Sequence, residues 1–444
     1  MKQKLSFANR IWIGFTLFSM FFGAGNLIFP PFLGYSAGHY LWRGMLGFIL
    51  SAVCLPALGV GAVAMSGGLE KLTARVHPKF SLIFPLLIYL SIGPFLAIPR
   101  TASTSYAMAV IPFLSENPGG NLRFIYTLFF FSAAYLVSFR PDKLSNCLGK
   151  IMTPCLLFLI ALIFAGCVCW PVGQWTSPLP SYQQTPALQG FLEGYQTMDT
   201  LAALNFGIVI TLNIRAKGVT NETYIVRETI LSGMIAGALL TLIYGALAYI
   251  GSLTGTGLYE AKNGARILTW AVGELYGRNG LRILAVIFFI SCFNVCVSLI
   301  CCCSEYFSRQ FPFLPYPGWA AVFSCISFAI ANAGLNHILA FSLPVIHSIY
   351  PVAIVLIILA LIHPWISRLP LIYPYTILTT ALLSTAESLR KVPGWEMFSL
   401  PLLKRLPGSR LGFGWLLPAF LSAVVGAVCS CLQQIAKKNK KKGE

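Results

Sequence analysis

The chain has 444 residues, of which 57% are hydrophobic and 10% charged, with a mean hydropathy of +0.76. So little charge cannot clothe a water-soluble globule, which excludes a soluble enzyme or signalling domain and points to a polytopic membrane protein. The formal net charge of +18 would suit a nucleic-acid binder only if a soluble basic face carried it, and no soluble domain is expected here.

Taken in chain order, windows of about 20 residues predict an all-α membrane protein with twelve spans. They lie near 11–38, 43–65, 81–112, 122–139, 151–172, 190–214, 228–252, 280–307, 318–335, 338–362, 369–387 and 411–434. The first span is interrupted in its middle, because MFFGAGNLIFPP at 20–31 places Gly23, Gly25 and Asn26 at membrane depth. Exposed backbone is tolerated there only where the freed N–H and C=O groups face protein, a cavity or a ligand. In secondary transporters such a broken helix forms the substrate and ion site. Lys2 and Lys4 precede this run as they would in a secretory signal. A signal's apolar region is only about 7–15 residues and ends in small residues, so the span is expected to be retained.

The third span carries Arg100, a basic residue expected deep in the membrane, and the sixth carries Glu193, Gln196, Thr197, Asp199 and Thr200 among glycines. Breaks in spans one and six lie five helices apart, and an odd separation reverses orientation, which is the pattern of an inverted repeat with binding at the midplane. The expected organisation is one transporter domain over 1–444. Its first repeat covers 11–172, its second 190–362, two added helices 369–434, and a basic tail 435–444.

Lys2, Lys4, Arg10, Lys71, Arg75, Lys79, Arg140, Lys143, Lys150, Arg215, Lys217, Arg227, Arg309, Arg368 and the lysines at 437–442 fall on one side of this arrangement. A smaller set, including Arg43, Arg123, Lys262, Arg266, Arg278 and Arg282, falls on the other. The positive-inside bias therefore puts both termini in the cytoplasm; the basic outer loop at 388–410 fits it least well. The lysine tail either meets anionic lipid or is a solvated end. Of the 13 cysteines only Cys147 is expected in a loop, and no C-x-x-C pair occurs, so buried apolar thiols are expected in place of a metal or disulfide framework. His347 lies in a span, either as a proton relay or as a hydrogen-bonded interface residue.

Five segments in order, FFGAGNLIFPPFLG (21–34), GPFLAIPRTA (93–102), GFLEGYQTMDTL (190–201), FGIVI (206–210) and SEYF (304–307), together resemble the branched-chain amino acid:cation symporters of bacteria. The resemblance implies sodium-coupled uptake of leucine, isoleucine and valine across the cytoplasmic membrane, on a five-plus-five inverted-repeat fold. The Gly-x-Gly-Asn break is also similar to that of the neurotransmitter:sodium symporters. No cofactor beyond the coupling ion is expected. The partners are membrane lipid and the small-molecule substrate, with no nucleic acid and no obligate protein partner.

An amino acid zwitterion at the midplane costs several kcal/mol for each charged group left unmatched. The free N–H groups of Gly23, Ala24, Gly25 and Asn26, at the start of a second half-helix, suit its carboxylate. The carbonyls of Phe22 and Gly23 and the amide oxygen of Asn26 are hard ligands for a small cation, and Gln196, Thr197, Asp199 and Thr200 offer more oxygens across the site. Asp199 is the sharpest single residue, since an acid at a helix centre costs at least ~2.5–3.5 kcal/mol on insertion scales. It binds the cation, takes up a proton, or pairs with Arg100. Glu193, nearer the outer end, is expected to be a gate or interface residue. An apolar pocket distinguishes one methylene by only ~1–3 kcal/mol, so several branched substrates should be accepted.

In span eight the chain departs from the family, which usually carries threonine where Val295 stands. In related symporter folds hydroxyls of this helix complete a second sodium site, and Asn294 and Ser298, four apart on one face, are the expected substitutes. Other classes fit less well. A membrane enzyme would show clustered acids or a His/Cys site near one face, and a channel a continuous polar pore. A proton-coupled carrier of other neutral amino acids is the rival reading.

Overall fold

The computed structural model describes residues 5–114, 120–139, 153–170, 173–175, 177–254, 261, 263–389, 406–409 and 412–443. Cys147, Lys2, Lys4, Arg140, Lys143, Lys150, Lys262 and most of the basic loop at 388–410 lie outside the described residues. Every regular element among the described residues is helical. The longer ones are α1 (Phe7–Phe21), α2 (Ala24–Ala37), α3 (Leu41–Ile49), α4 (Leu55–Ser66), α5 (Leu69–Ala74), α6 (Phe80–Leu90), α7 (Ala97–Ala109), α8 (Gly120–Ser138) and α9 (Thr153–Cys169). They continue as α10 (Pro180–Gln184), α11 (Pro186–Tyr195), α12 (Asp199–Ala216), α13 (Glu222–Ser252), α14 (Gly264–Gln310), α15 (Tyr316–Ala331), α16 (Leu335–Leu361), α17 (His363–Ile366), α18 (Ile372–Leu389) and α19 (Leu416–Gly443). Among the described residues seven helical stretches are long and apolar enough to cross a bilayer. The number is eight if α11 and α12, bent by 49°, form one span.

Local chemistry explains where these helices stop. Ser6 caps α1 by accepting the Asn9 N–H at 3.3 Å, and the helix ends where Phe22 and Gly23 turn extended. The break is thus narrower than the sequence suggested, because Gly25 and Asn26 already belong to the first turn of α2. Another interruption was not anticipated. Pro94 has no N–H to donate and disfavours helical backbone in the residue before it. Gly93 accordingly leaves the helix (φ −82°, ψ −123°) in the π-turn Ser91–Phe95 that joins α6 to α7. The 47 residues of α14 exceed what a bilayer of about 30 Å needs at 1.5 Å per residue. Gly277, with φ +56°, splits off an arm at 264–276 from the expected span, and Ile267 and Ala261 of this region pack on Phe32 and Tyr35.

The contacts group the chain into two discontinuous units, Met1–Val60 with Tyr89–Ala340, and Gly61–Ile88 with Phe341–Glu444. Both broken helices lie in the first unit. Its helices touch backbone to backbone at glycines. A methyl at Gly190 of α11 would overlap the Gly44 carbonyl of α3, and one at Gly251 of α13 would overlap the Pro31 carbonyl of α2. In the second unit α18 and α19 are tied where the Leu371 N–H donates to Ser430 Oγ at 3.0 Å. Phe129, Leu136, Phe158 and Leu242 are all more than 65% exposed, and side chains of this kind on the outer faces of helices suit hydrocarbon, not water.

Candidate functional site

The second break is the more strained of the two. Met198 sits between α11 and α12 with φ +67°, the positive-φ residue other than glycine among the described residues, a conformation that survives only where its surroundings enforce it. Arg100 of α7 supplies much of that enforcement. Its Nη1 donates to the Gln196 carbonyl at 2.7 Å and its Nη2 to the Thr197 carbonyl at 3.3 Å, which satisfies carbonyls orphaned by the end of α11. Thr197 Oγ1 donates to the Gly194 carbonyl at 2.8 Å and accepts the Asp199 N–H at 3.4 Å. An ion pair with Arg100, one of the three roles open to Asp199, does not form within 4 Å. Among the described residues the ion pairs within 4 Å are Arg10–Glu228, Arg215–Glu222 and Arg309–Glu305. A guanidinium presents a rigid fork of donors, and here two successive carbonyls fit it, with the Phe29 ring 5.7 Å from its carbon.

Asn26 joins the two breaks. Its Oδ1 accepts the Gly23 N–H at 3.1 Å, and its Nδ2 donates to Asp199 Oδ2 at 2.6 Å and to the Tyr244 hydroxyl. Tyr244, on α13, donates to the same Asp199 oxygen at 3.1 Å. Asn26 and Asp199 are at most 3% exposed and Tyr244 is fully buried, so the carboxylate is held by neutral donors in a dry setting.

These groups form the polar end of a small cavity of about 30 Å³, enough to hold a water and well below the range of small-molecule sites. Gly23, Ala24, Gly25 and Asn26 line it from the first break, Thr197, Met198 and Asp199 from the second, and Arg100 and Thr101 from α7. The rest of the wall is apolar: Met20, Phe21, Ile92, Ala97, Ala202, Phe206, Val295 and Leu299. The Gly23 N–H is already used by Asn26. The N–H groups of Ala24, Gly25 and Asn26 open α2, where no intrahelical acceptor exists and the helix dipole favours an anion. Space at Gly25 is tight, since a Cβ there would stand 2.9 Å from Arg100 Nη2.

Six residues expected at the site, Phe22, Glu193, Gln196, Thr200, Asn294 and Ser298, do not line this cavity. Gln196 contributes its carbonyl to Arg100. Thr200 turns its hydroxyl to the Ser51 carbonyl at 3.3 Å. Glu193 is half-buried on α11. Behind the first break, Ser291 Oγ of α14 donates to the Phe22 carbonyl at 2.7 Å and Asn294 Nδ2 to Ser19 Oγ at 3.2 Å. Asn294 Oδ1 and Ser298 Oγ are buried and meet no partner. These are hard, neutral oxygens, the donor set a sodium ion takes and a transition metal does not. Among the described residues no group of three His, Cys, Asp or Glu could hold a metal.

Tyr244 and Ser291 were not singled out from the sequence. A hydroxyl in the middle of the apolar run LIYGALAYI was the signal for the first, and the spacing 291, 294, 298 on one helical face was the signal for the second.

A family model described as a branched-chain amino acid transport protein matches residues 6–433. The chain is 38% identical to the branched-chain amino acid permease BraB of Bacillus subtilis, over 96% of this chain and 97% of that one. It is also 38% identical to the branched-chain amino acid transport system 2 carrier protein of Pseudomonas aeruginosa, over 95% of both. Among solved structures, a Na+-coupled sialic acid symporter superposes with a TM-score of 0.61 at 14% identity, covering 95% of this chain and 90% of the other. A nucleobase-cation-symport-1 family transporter gives 0.57 at 11% identity, over 96% and 93%. The Eremococcus coleocola manganese transporter gives 0.57 at 14%, over 97% and 96%. At these identities the likeness establishes a shared fold.

Proposed function

The chain belongs to the branched-chain amino acid transport family, and from that premise we propose that it takes up leucine, isoleucine and valine in symport with sodium across the bacterial cytoplasmic membrane. It is a transporter and not an enzyme. The observation that carries the reading is the Asn26–Asp199 bond, which couples two broken helices at the polar end of an otherwise apolar cavity. A branched aliphatic side chain suits Ile92, Phe206, Val295 and Leu299. The substrate carboxylate suits the N–H groups opening α2, and its ammonium suits Asp199, whose bonds from Asn26 and Tyr244 both fall on Oδ2. Sodium would be held by oxygens of Phe22, Ser291, Asn294 and Ser298, with Val295 where the family usually has threonine.

The twelve-span, five-plus-five inverted arrangement with both termini cytoplasmic belongs to the same reading. It is supported by the breaks at 22–23 and 196–198 and by the fold held in common with cation-coupled carriers. Alternating access then amounts to breaking and remaking contacts around a site that both broken helices share.

A proton-coupled reading has one observation in its favour, a buried carboxylate at Asp199 with no cationic partner within 4 Å among the described residues. Purified protein in liposomes, given labelled leucine and a sodium, lithium or proton gradient one at a time, separates the two. Accumulation driven by sodium is the expected result. Full accumulation on a proton gradient alone overturns sodium coupling, and no accumulation of any branched-chain amino acid overturns the substrate.

A further inference from the structure

A larger cavity, of about 410 Å³, lies in the same unit and shares no lining residue with the first. Its wall includes Ser103, Tyr106, Arg123, Asn263, Gly334 and His337, with no Asp or Glu among the described lining residues. Arg123 is built into this wall. Its guanidinium carbon lies 5.9 Å from the centre of the Tyr106 ring, and its Nη1 donates to the Asn332 carbonyl at 3.2 Å. Gly334, at φ +92°, makes room for it, because a Cβ there would stand 2.9 Å from Nη1. No carboxylate lies within 4 Å of Arg123 among the described residues, and one carbonyl uses only one of its five donors.

Tyr106 is a second, independent pointer. It is 3% exposed and its hydroxyl meets no partner, a costly arrangement unless something occupies the cavity. Ser103 already donates to the Ala331 carbonyl at 2.9 Å. Among the described residues the wall therefore has donors and positive charge in excess and no anion, and a planar carboxylate matches a guanidinium fork better than a spherical ion does. The position matters as well. Ser103 and Tyr106 follow Arg100 on α7 by three and six residues, about 4.5 and 9 Å along the helix, so one helix lines both cavities.

We propose that this cavity is a second carboxylate-binding site, one that takes the carboxylate of the transported amino acid through Arg123 and Tyr106 a helical turn or two away from the main cavity. The identity of the amino acid rests on the reading above. With no acid among the described wall residues the ammonium stays hydrated, so recognition depends on the carboxylate.

Equilibrium binding of radiolabelled leucine to the purified full chain in sodium buffer tests this. Wild type should show a second, weaker component. Arg123→Gln and Tyr106→Phe should each lose that component while the tighter one stays within about twofold, and Arg123→Lys, which keeps charge without the fork, should weaken it by about tenfold. The tighter component also reports that each variant is folded. 4-Methylpentanoate, a carboxylate without an ammonium, should displace only the weaker component, and chloride at equal concentration should not. A single component in wild type, both components in Arg123→Gln, or equal displacement by chloride overturns the second site. If the single component is lost in Asp199→Asn but not in Arg123→Gln, the branched-chain reading stands while the second site falls. If leucine does not bind at all, the reading and the site fall together.

Discussion

Asn26 makes one contact to each of three elements, the break in the first helix, Asp199 of α12 and Tyr244 of α13. Truncating it leaves the Gly23 N–H uncapped and Asp199 with one donor fewer, and each buried group left unsatisfied costs about 1–3 kcal/mol. Asn26→Ala is expected to abolish leucine accumulation while the protein still reaches the membrane, and Asp199→Asn to eliminate gradient-driven uptake. Wild-type rates in either variant, measured in proteoliposomes at matched protein levels, would remove that residue from the site. The ion side is tested separately. Asn294 Oδ1 and Ser298 Oγ are buried without a partner, so Asn294→Ala or Ser298→Ala should raise the sodium concentration that half-saturates leucine uptake by about tenfold, one lost ligand at ~1.4 kcal/mol. Val295→Thr, nearly isosteric and adding a hydroxyl beside Gly23, should lower it. A sodium titration unmoved by all three substitutions would place the ion elsewhere.

The helices depend on close backbone approach, and glycine is what permits it. At Gly190 a methyl would overlap the Gly44 carbonyl, whereas at Gly245, also in a helix interior, nothing lies within 4 Å. Gly190→Ala is therefore expected to lower the melting temperature and reduce monodisperse protein in detergent. Gly245→Ala should be neutral or stabilising by about 0.5–1 kcal/mol, because alanine costs a helix less entropy. Equal effects of the two substitutions would show that α3 and α11 do not need this contact. A second device ties α1 to α13. Arg10 gives Nε and Nη2 to the Glu228 carboxylate at 2.6 and 2.8 Å, and the Glu228 side chain is 1% exposed. Arg10→Ala leaves that charge buried and unpaired, at a cost of about 3–5 kcal/mol. The pair Arg10→Ala with Glu228→Gln should recover most of it. A double variant as unstable as Arg10→Ala alone, by thermal melting, would mean that Arg10 acts through packing.

At the scale of the molecule, the surplus of Lys and Arg on the side of the termini predicts that both ends face the cytoplasm. Epitope tags at the two ends, probed in intact and in permeabilised cells, should become accessible together on permeabilisation. Accessibility of one end alone in intact cells would require an odd number of spans and overturn the twelve-span reading.

Membership of the membrane class, the position of the two breaks and the family resemblance were all legible in the sequence. The reason is that hydropathy is a one-dimensional signal, and glycine, asparagine and proline interrupt helices through their own backbones. The kink at Gly93 was written there too, in the proline that follows it. Partnership was not legible. Asn26 meets Asp199 from 173 residues away and Tyr244 from 218, and Ser291 reaches Phe22 across 269. No local period encodes which distant helix a polar side chain will face. For the same reason Arg100, for which pairing with Asp199 was one of the open alternatives, closes on the carbonyls of Gln196 and Thr197. A buried guanidinium goes where its fork is matched, and that match exists only after α7 has packed against the end of α11, a decision that belongs to the tertiary structure.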